Sequence, residues 1–169
     1  MSTNKIYVSL NELNKSQYAK LWNFIFKNTD AFSFRFPNVN HSTSNTMKLK
    51  YNDNAQIDKV YCEYLDKNKR LIDECYKNLI DKTITNRYLD DKYSNLSLVF
   101  KCKTFEYIKN MILNKPNIFE WNEPDLPEDL SFYSKNELFM YSCSHEEICI
   151  FYLDRKNAEI LNKIIENDW

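Results

Sequence analysis

The chain of 169 residues contains no glycine. Without glycine it cannot form a G-x-G-x-x-G loop, a Walker A loop or a G-x-S-x-G nucleophile elbow. The absence therefore excludes the two common nucleotide-binding loops and the usual serine hydrolase arrangement. Backbone positions with positive φ must be filled by other residues, and Asn, which occurs 22 times, is among those that tolerate them best.

Long apolar runs and closely paired cysteines are also missing from the chain. No apolar run approaches the ~20 residues that span a bilayer, and the N-terminus lacks the apolar core of a signal peptide. We therefore expect a soluble, cytoplasmic protein. An odd number of irregularly spaced cysteines predicts buried free thiols instead of a disulfide framework. The five are Cys62, Cys75, Cys102, Cys143 and Cys149.

The composition and length indicate one folded domain over residues 1–169. Hydrophobic residues make up 43% of the chain and aromatic residues 15%, which is enough for a sizeable core. The net charge is −1, but residues 1–114 carry 18 basic and 12 acidic side chains, whereas residues 115–169 carry 5 basic and 12 acidic ones. Such asymmetry can mark a charged binding face; the alternative is that folding interleaves the two halves.

Helical periodicity appears in four segments. Asn14 and Gln17 form the pattern of a capping box before the first helix. Residues 54–81 follow a helical pattern with an expected break at Asp66–Arg70, Thr104 is expected to cap a short helix, and Asp154 a final one. Strand patterns are predicted at 5–10, 31–36, 47–51, 96–102, 130–133, 137–143 and 147–153, while 84–94 show no clear pattern.

These patterns together predict an α+β fold. Short polar turns join the last three strands, so we expect them to form a C-terminal three-stranded meander within an antiparallel sheet. Several amphipathic helices should pack against that sheet.

The segment 120–129 is the most distinctive part of the sequence. It carries five carboxylates and no Lys or Arg, and two prolines stiffen it. We interpret it as a rigid acidic loop for a basic partner, with Trp121 as an aromatic anchor. The alternative is that the loop is only solvated and that Trp121 is a core residue. The carboxylates are those of Glu120, Glu123, Asp125, Glu128 and Asp129.

His145 is the main candidate for chemistry. It lies beside Cys143 and Glu146, and a Cys–His pair can act as nucleophile and base. No third orienting group can be named, so a turn histidine with local hydrogen bonds is the favoured interpretation. A zinc site from Cys143, His145 and Cys149 lacks the usual closely paired ligands, and we predict no metal and no cofactor. Scattered basic residues and a pI near 6 argue against nucleic-acid binding.

The C-terminal third of the sequence resembles a group of known proteins. Trp121, Pro124 and the run from Pro127 to Tyr133, followed by Ser144-His145-Glu146, are similar to small bacterial proteins with a W-x-x-P-x-x-P-E-D-L-x-F-Y … S-H-E signature. That resemblance implies an immunity-type or antitoxin-type protein. Such proteins commonly neutralise a basic nuclease toxin by covering its substrate groove with carboxylates.

The sequence therefore predicts a non-enzymatic immunity-type protein that inhibits a cognate toxin, with Tyr133, His145 and Glu146 joining the acidic segment in the binding surface. The alternatives are a phage-encoded anti-defence protein, which composition cannot distinguish from the first, and an enzyme that uses His145 with Cys143 or Glu146. The expected partner is a basic toxin domain, and neither a membrane nor a nucleic acid.

Overall fold

The computed structural model describes residues 4–8, 13–37, 54–86, 96–121 and 125–166, which adopt an α+β fold. Two 3-10 turns lie at Ile118–Glu120 and Ser144–Glu146. The strands are β1 Asn4–Tyr7, β2 Ala31–Pro37, β3 Leu79–Asn86, β4 Leu96–Lys103, β5 Glu128–Ser134, β6 Glu137–Cys143 and β7 Ile148–Leu153. The helices are α1 Lys15–Asn28, α2 Asn54–Lys77, α3 Glu106–Leu113 and α4 Arg155–Glu166.

All seven described strands belong to one antiparallel sheet in the order β1-β7-β6-β5-β2-β4-β3. The predicted fold class is confirmed. Strands β5, β6 and β7 are neighbours in the sheet as well as in sequence, joined by short turns. The predicted strand at 47–51 lies outside the described residues.

The described helices cover one face of this sheet. Alternate residues of β2, namely Phe32, Phe34 and Phe36, point to that face and are buried. Trp22 of α1 packs on Phe132 with ring centroids 5.5 Å apart. The other helices reach the same core through Tyr64 of α2, which packs against Phe36, Ile108 of α3 and Leu161 of α4.

The opposite face of the sheet carries no helix among the described residues, and we call it the helix-free face. Strand register places five side chains in one row across it. Lys101 pairs with Ser33, Ser33 with Ser131, Ser131 with Tyr141, and Tyr141 with Ile150. Ile150 is buried, yet it does not belong to the helix-side core cluster.

Two of the predicted helix starts are confirmed and one is wrong. Asn14 accepts hydrogen bonds from the backbone N–H groups of Ser16 and Gln17, and the Gln17 side chain accepts one from the Asn14 N–H, which completes the capping box. Asp154 accepts from the Asn157 N–H at 2.8 Å. Thr104 does not cap α3, because the N-cap position belongs to Phe105.

The predicted break at Asp66–Arg70 is also wrong, since α2 runs without interruption for 24 residues. Charged residues are good helix formers and project into solvent, so a polar run need not end a helix. Asn68 within this run is buried and donates to the Tyr64 carbonyl at 2.9 Å. The helix instead ends at Lys77, and the chain turns at Asn78 into β3, which the sequence patterns did not separate from the helix.

Candidate functional site

The second residue of the acidic segment is a buried tryptophan. The first 3-10 turn is capped by Asn117, whose side chain accepts from the Phe119 N–H at 3.0 Å. Trp121 follows it and is only 1% exposed. Its carbonyl accepts a hydrogen bond from Ser144 Oγ at 2.7 Å. The expectation of an exposed anchor is therefore corrected: Trp121 is a core residue that fastens the segment to the second 3-10 turn.

The end of the segment is buried as well. Glu128 and Asp129, expected in a solvated loop, are the first residues of β5 and are 4% and 5% exposed. Asp129 has a φ of 56°, and the β2–β5 register shifts between Ser33 and Arg35 at this point. This irregularity turns the Asp129 carboxylate towards Arg35 on the helix-free face, with Oδ2 3.5 Å from Nε. Its other oxygen, Oδ1, has no hydrogen-bond partner among the described residues.

Cys143 and Tyr141 lie close to the Asp129 carboxylate on the helix-free face. Burial and then the charge of Asp129 raise the pKa of the Tyr141 hydroxyl. The same two causes raise the pKa of the Cys143 thiol to about 11. The thiol is thus protonated near neutral pH, which makes it a poor nucleophile. The side chain of His145, its expected partner, lies outside what the structure describes.

Asp125 is exposed but fastened to helix α2. Its carboxylate forms an ion pair with Lys67. Its backbone carbonyl accepts a hydrogen bond from the buried Asn68 side chain at 3.1 Å. The polar stretch of α2 that we expected to break the helix therefore holds this part of the acidic segment. Glu123 lies outside the described residues.

Three exposed carboxylates lie on the two 3-10 turns or directly after the second one. Glu120 belongs to the first 3-10 turn, Glu146 to the second, and Glu147 follows the second. The two turns contact each other and are joined by the bond from Ser144 to Trp121. We call Glu120, Glu146 and Glu147 the acidic rim. Glu147 has a φ of 53°, which lets the chain reverse into β7 without glycine.

Tyr133 lies away from this rim, at the opposite end of β5 from Glu128. It is half-buried on the helix-free face, and its hydroxyl is 3.1 Å from Ser33 Oγ. Lys101 Nζ stands over its ring at 4.1 Å from the centroid. The structure therefore separates the described binding residues into a buried group, Asp125 bound to α2, Glu120 and Glu146 of the acidic rim, and Tyr133 on the sheet.

Sequence reasoning missed Arg35 and Tyr141. Both belong to strands with clear alternation, so their common face was predictable, but their proximity to Asp129 depends on strand order and on the register shift in β2–β5. The described cysteines are all free, and every one except the exposed Cys62 is buried. No group of three His, Cys, Asp or Glu side chains suited to a metal ion occurs in the described ranges.

No protein-family model, curated protein or solved structure matches this chain. The resemblance to immunity-type proteins therefore stays a prediction. Among the helices that the structure describes, none combines the length and the apolar character needed to cross a bilayer.

Proposed function

We propose that this protein is a cytoplasmic, non-enzymatic binding protein of the immunity type, which inhibits a basic toxin domain by docking it on the acidic rim. The proposal rests on one observation, namely that the two turns bearing the acidic rim are fixed to each other. Its carboxylates are exposed on two short turns that a hydrogen bond from Ser144 to the Trp121 carbonyl joins. A preformed set of carboxylates binds a cationic groove without the cost of ordering a loop.

The charge of the rim suits fast recognition of a basic partner. Exposed carboxylates steer a cationic protein during diffusional encounter and mimic the phosphates of its substrate. Glu120 is exposed and forms no ion pair with any cation among the described residues. In this proposal Trp121 acts as a positioning residue, because it supports the turn that presents Glu120 and does not touch the partner.

The rival enzyme hypothesis loses support from the state of Cys143. A nucleophilic cysteine needs a lowered pKa, whereas burial and the neighbouring Asp129 raise the pKa of this thiol to about 11. We therefore infer that Cys143 is a structural residue of the helix-free face.

The proposal is tested with a purified basic toxin domain, which is sought first among the products of the genes neighbouring this one. The double variant Glu120→Lys with Glu146→Lys should associate about tenfold more slowly at low salt and should lose most of the salt dependence of association. The matched control is Glu137→Lys with Asp73→Lys, which changes the net charge equally. Glu137 begins β6, at the opposite end of that strand from the rim, and Asp73 is exposed on α2.

Protection of cells against the toxin should follow the same order. The rim variant should fail to protect, whereas the control variant should protect as well as the unaltered protein. Equal association rates for the two double variants would refute the acidic rim as the docking surface.

A further inference from the structure

Two of the buried cysteines meet where helix α2 packs on the sheet. Cys75 lies in the last turn of α2. Cys102 is on β4, where it pairs in register with Phe32 and therefore points to the helix side. The Cys102 thiol donates a hydrogen bond to the Cys75 carbonyl, with Sγ 3.5 Å from the oxygen. Both side chains are fully buried and both thiols are free, so the two cysteines form one contact between α2 and β4.

Backbone hydrogen bonds hold the two cysteines together. The carbonyl of Asn78, directly after α2, accepts from the Lys103 N–H at 2.9 Å. Leu79 then pairs with Cys102 in the β3–β4 register. Because residues just beyond each cysteine are bonded to each other, the two side chains stay adjacent as long as this part of the sheet is intact.

The two thiols also influence each other's titration. A hydrogen bond from Cys75 to the Cys102 sulfur lowers the pKa of Cys102, although burial opposes this shift. The same contact, followed by burial, raises the pKa of Cys75. One sulfur is thus favoured as a thiolate beside a neighbour that stays protonated. Disulfide formation needs these two roles, an attacking thiolate and a resolving thiol.

We propose that Cys75 and Cys102 are a redox pair, which hydrogen peroxide converts to a disulfide that fastens the C-terminal end of α2 to β4. The Cys102 thiolate attacks one peroxide oxygen and the O–O bond breaks, which leaves a sulfenic acid and a hydroxide that takes up the thiol proton. The Cys75 sulfur loses its proton and attacks the Cys102 sulfur, the S–O bond breaks, and water leaves. The two thiols lose two electrons, and peroxide is reduced to two molecules of water.

Peroxide reaches the pair through local opening at the edge of the sheet. Helix α2 leads directly into β3, which is an edge strand of the described sheet. Tyr76 and Ile80, on the two sides of this junction, are 51% and 46% exposed. Helix ends and edge strands open at a lower free energy than a central core. Opening of the last turn of α2 therefore exposes Cys75 and the Cys102 sulfur beneath it without unfolding the protein.

The other two buried cysteines provide an internal control. Cys143 and Cys149 are on the neighbouring strands β6 and β7, but Cys143 pairs with Ile148 and Cys149 with Ser142. Their side chains therefore point to opposite faces, and only Cys149 belongs to the helix-side core cluster. Because their Cβ atoms point apart, no disulfide joins them.

Peroxide treatment of the full chain tests the proposal. The protein carries Cys62→Ser, because Cys62 is exposed and would otherwise link two copies. After oxidation the remaining thiols are alkylated in denaturant, and the peptides are mapped by mass spectrometry. We expect one cross-linked peptide pair, which contains Cys75 and Cys102 and has lost two hydrogen atoms, while Cys143 and Cys149 are alkylated. A reducing agent should reverse the link.

Thermal unfolding measures whether the link fastens α2. The oxidised protein should melt ~5–10 °C above the reduced protein, because the disulfide joins residues 27 apart and restricts the unfolded chain. Cys143→Ala should form the link and gain the same increase, whereas Cys75→Ala should form no link and gain none. Circular dichroism checks that both variants fold.

Three results would overturn the proposal. One is a pair of free thiols at Cys75 and Cys102 after peroxide treatment, and another is oxidation of Cys102 to a sulfinic acid without a cross-link. The third is a cross-link that leaves the melting temperature unchanged. The first two are read from the chain with both cysteines in place, so they stand even if Cys75→Ala does not fold. No toxin enters the experiment, so its outcome is independent of the proposed function.

Discussion

The two faces of the sheet are made by the same strands yet depend on different interactions. On the helix side, Phe32 and Phe132 are fully buried among aromatic rings 5.5 to 6.2 Å apart. On the helix-free face, the neighbouring Ser33 and Tyr133 meet through a hydrogen bond. The comparison teaches that burial of apolar area stabilises the first face, whereas polar contacts between large side chains organise the second.

Adjacent residues of β5 give the most direct test of this difference. Phe132→Ala should lower the free energy of unfolding by about 3–5 kcal/mol, because it leaves a cavity in the core. Tyr133→Ala should cost about 1–2 kcal/mol, since the side chain is only half-buried. Denaturant unfolding of both variants measures the two values. Equal losses would show that the helix-free face is as much a core as the other.

Trp121 extends the comparison beyond the strands. Trp121→Ala should lower the free energy of unfolding by about 3–5 kcal/mol, as expected for a large buried side chain. It should also disturb the acidic rim, because its carbonyl is the acceptor for Ser144 Oγ. Thermal unfolding provides the measurement, and Ser144→Ala, which removes only the hydrogen bond, is the control. An unchanged stability of Trp121→Ala would contradict its assignment to the core.

Substitutions in the ion pair between Arg35 and Asp129 test how much polar contacts stabilise the helix-free face. Arg35→Met should lower the free energy of unfolding by about 1–3 kcal/mol, because it leaves a carboxylate buried without its cation. The partial exposure of Arg35, 29% of its side chain, keeps the effect below that of a fully buried pair. Chemical denaturation of the single and double variants gives the coupling between the two residues.

Asp129→Asn should cost less than Arg35→Met, because it removes the buried charge itself and because Asn tolerates a φ of 56°. The double variant should recover part of the stability that Arg35→Met loses. If Asp129→Asn proved the more harmful single substitution, the carboxylate would have a role that its contact with Arg35 does not explain.

The smallest expected effect is a dependence of folding stability on pH in alkaline solution. The pKa of the Cys143 thiol is raised from 9.0 to about 11, so folding favours its protonated form. Its contribution to stability is complete below pH 9 and disappears as the pH rises to about 11. Cys143→Ala should therefore flatten the fall in melting temperature over that range. A parallel fall in the variant would assign it to other buried groups, such as Cys149, whose pKa is also raised by burial.

Much of the fold was predictable because local patterns agreed with tertiary packing. The capping box at Asn14 and the strands between 130 and 153 follow directly from residue spacing. The polar run at Asp66–Arg70 led to a wrong prediction because its polarity serves tertiary contacts. Lys67 and Asn68 bind Asp125, which is 58 and 57 residues away, respectively. No local pattern carries that information.

The candidate site was less predictable than the fold. The sequence shows a dense set of carboxylates but not which of them are buried. Glu128 and Asp129 are buried because β5 begins two residues earlier than its apolar pattern and lies between two other strands. Glu120 and Glu146 lie on neighbouring turns because the two 3-10 turns contact each other, which no local pattern shows.

The absence of glycine has a consequence for protein engineering. Lys135 and Asn136 in the β5–β6 turn have φ values of 49° and 69°, and Glu147 one of 53°. A residue with a Cβ atom in this region costs roughly 1 kcal/mol relative to glycine. Lys135 and Glu147 thus occupy backbone conformations that their side chains disfavour, whereas Asn136 tolerates its own. Glycine at Lys135 or Glu147 offers a route to a more heat-resistant protein that leaves both faces of the sheet unaltered.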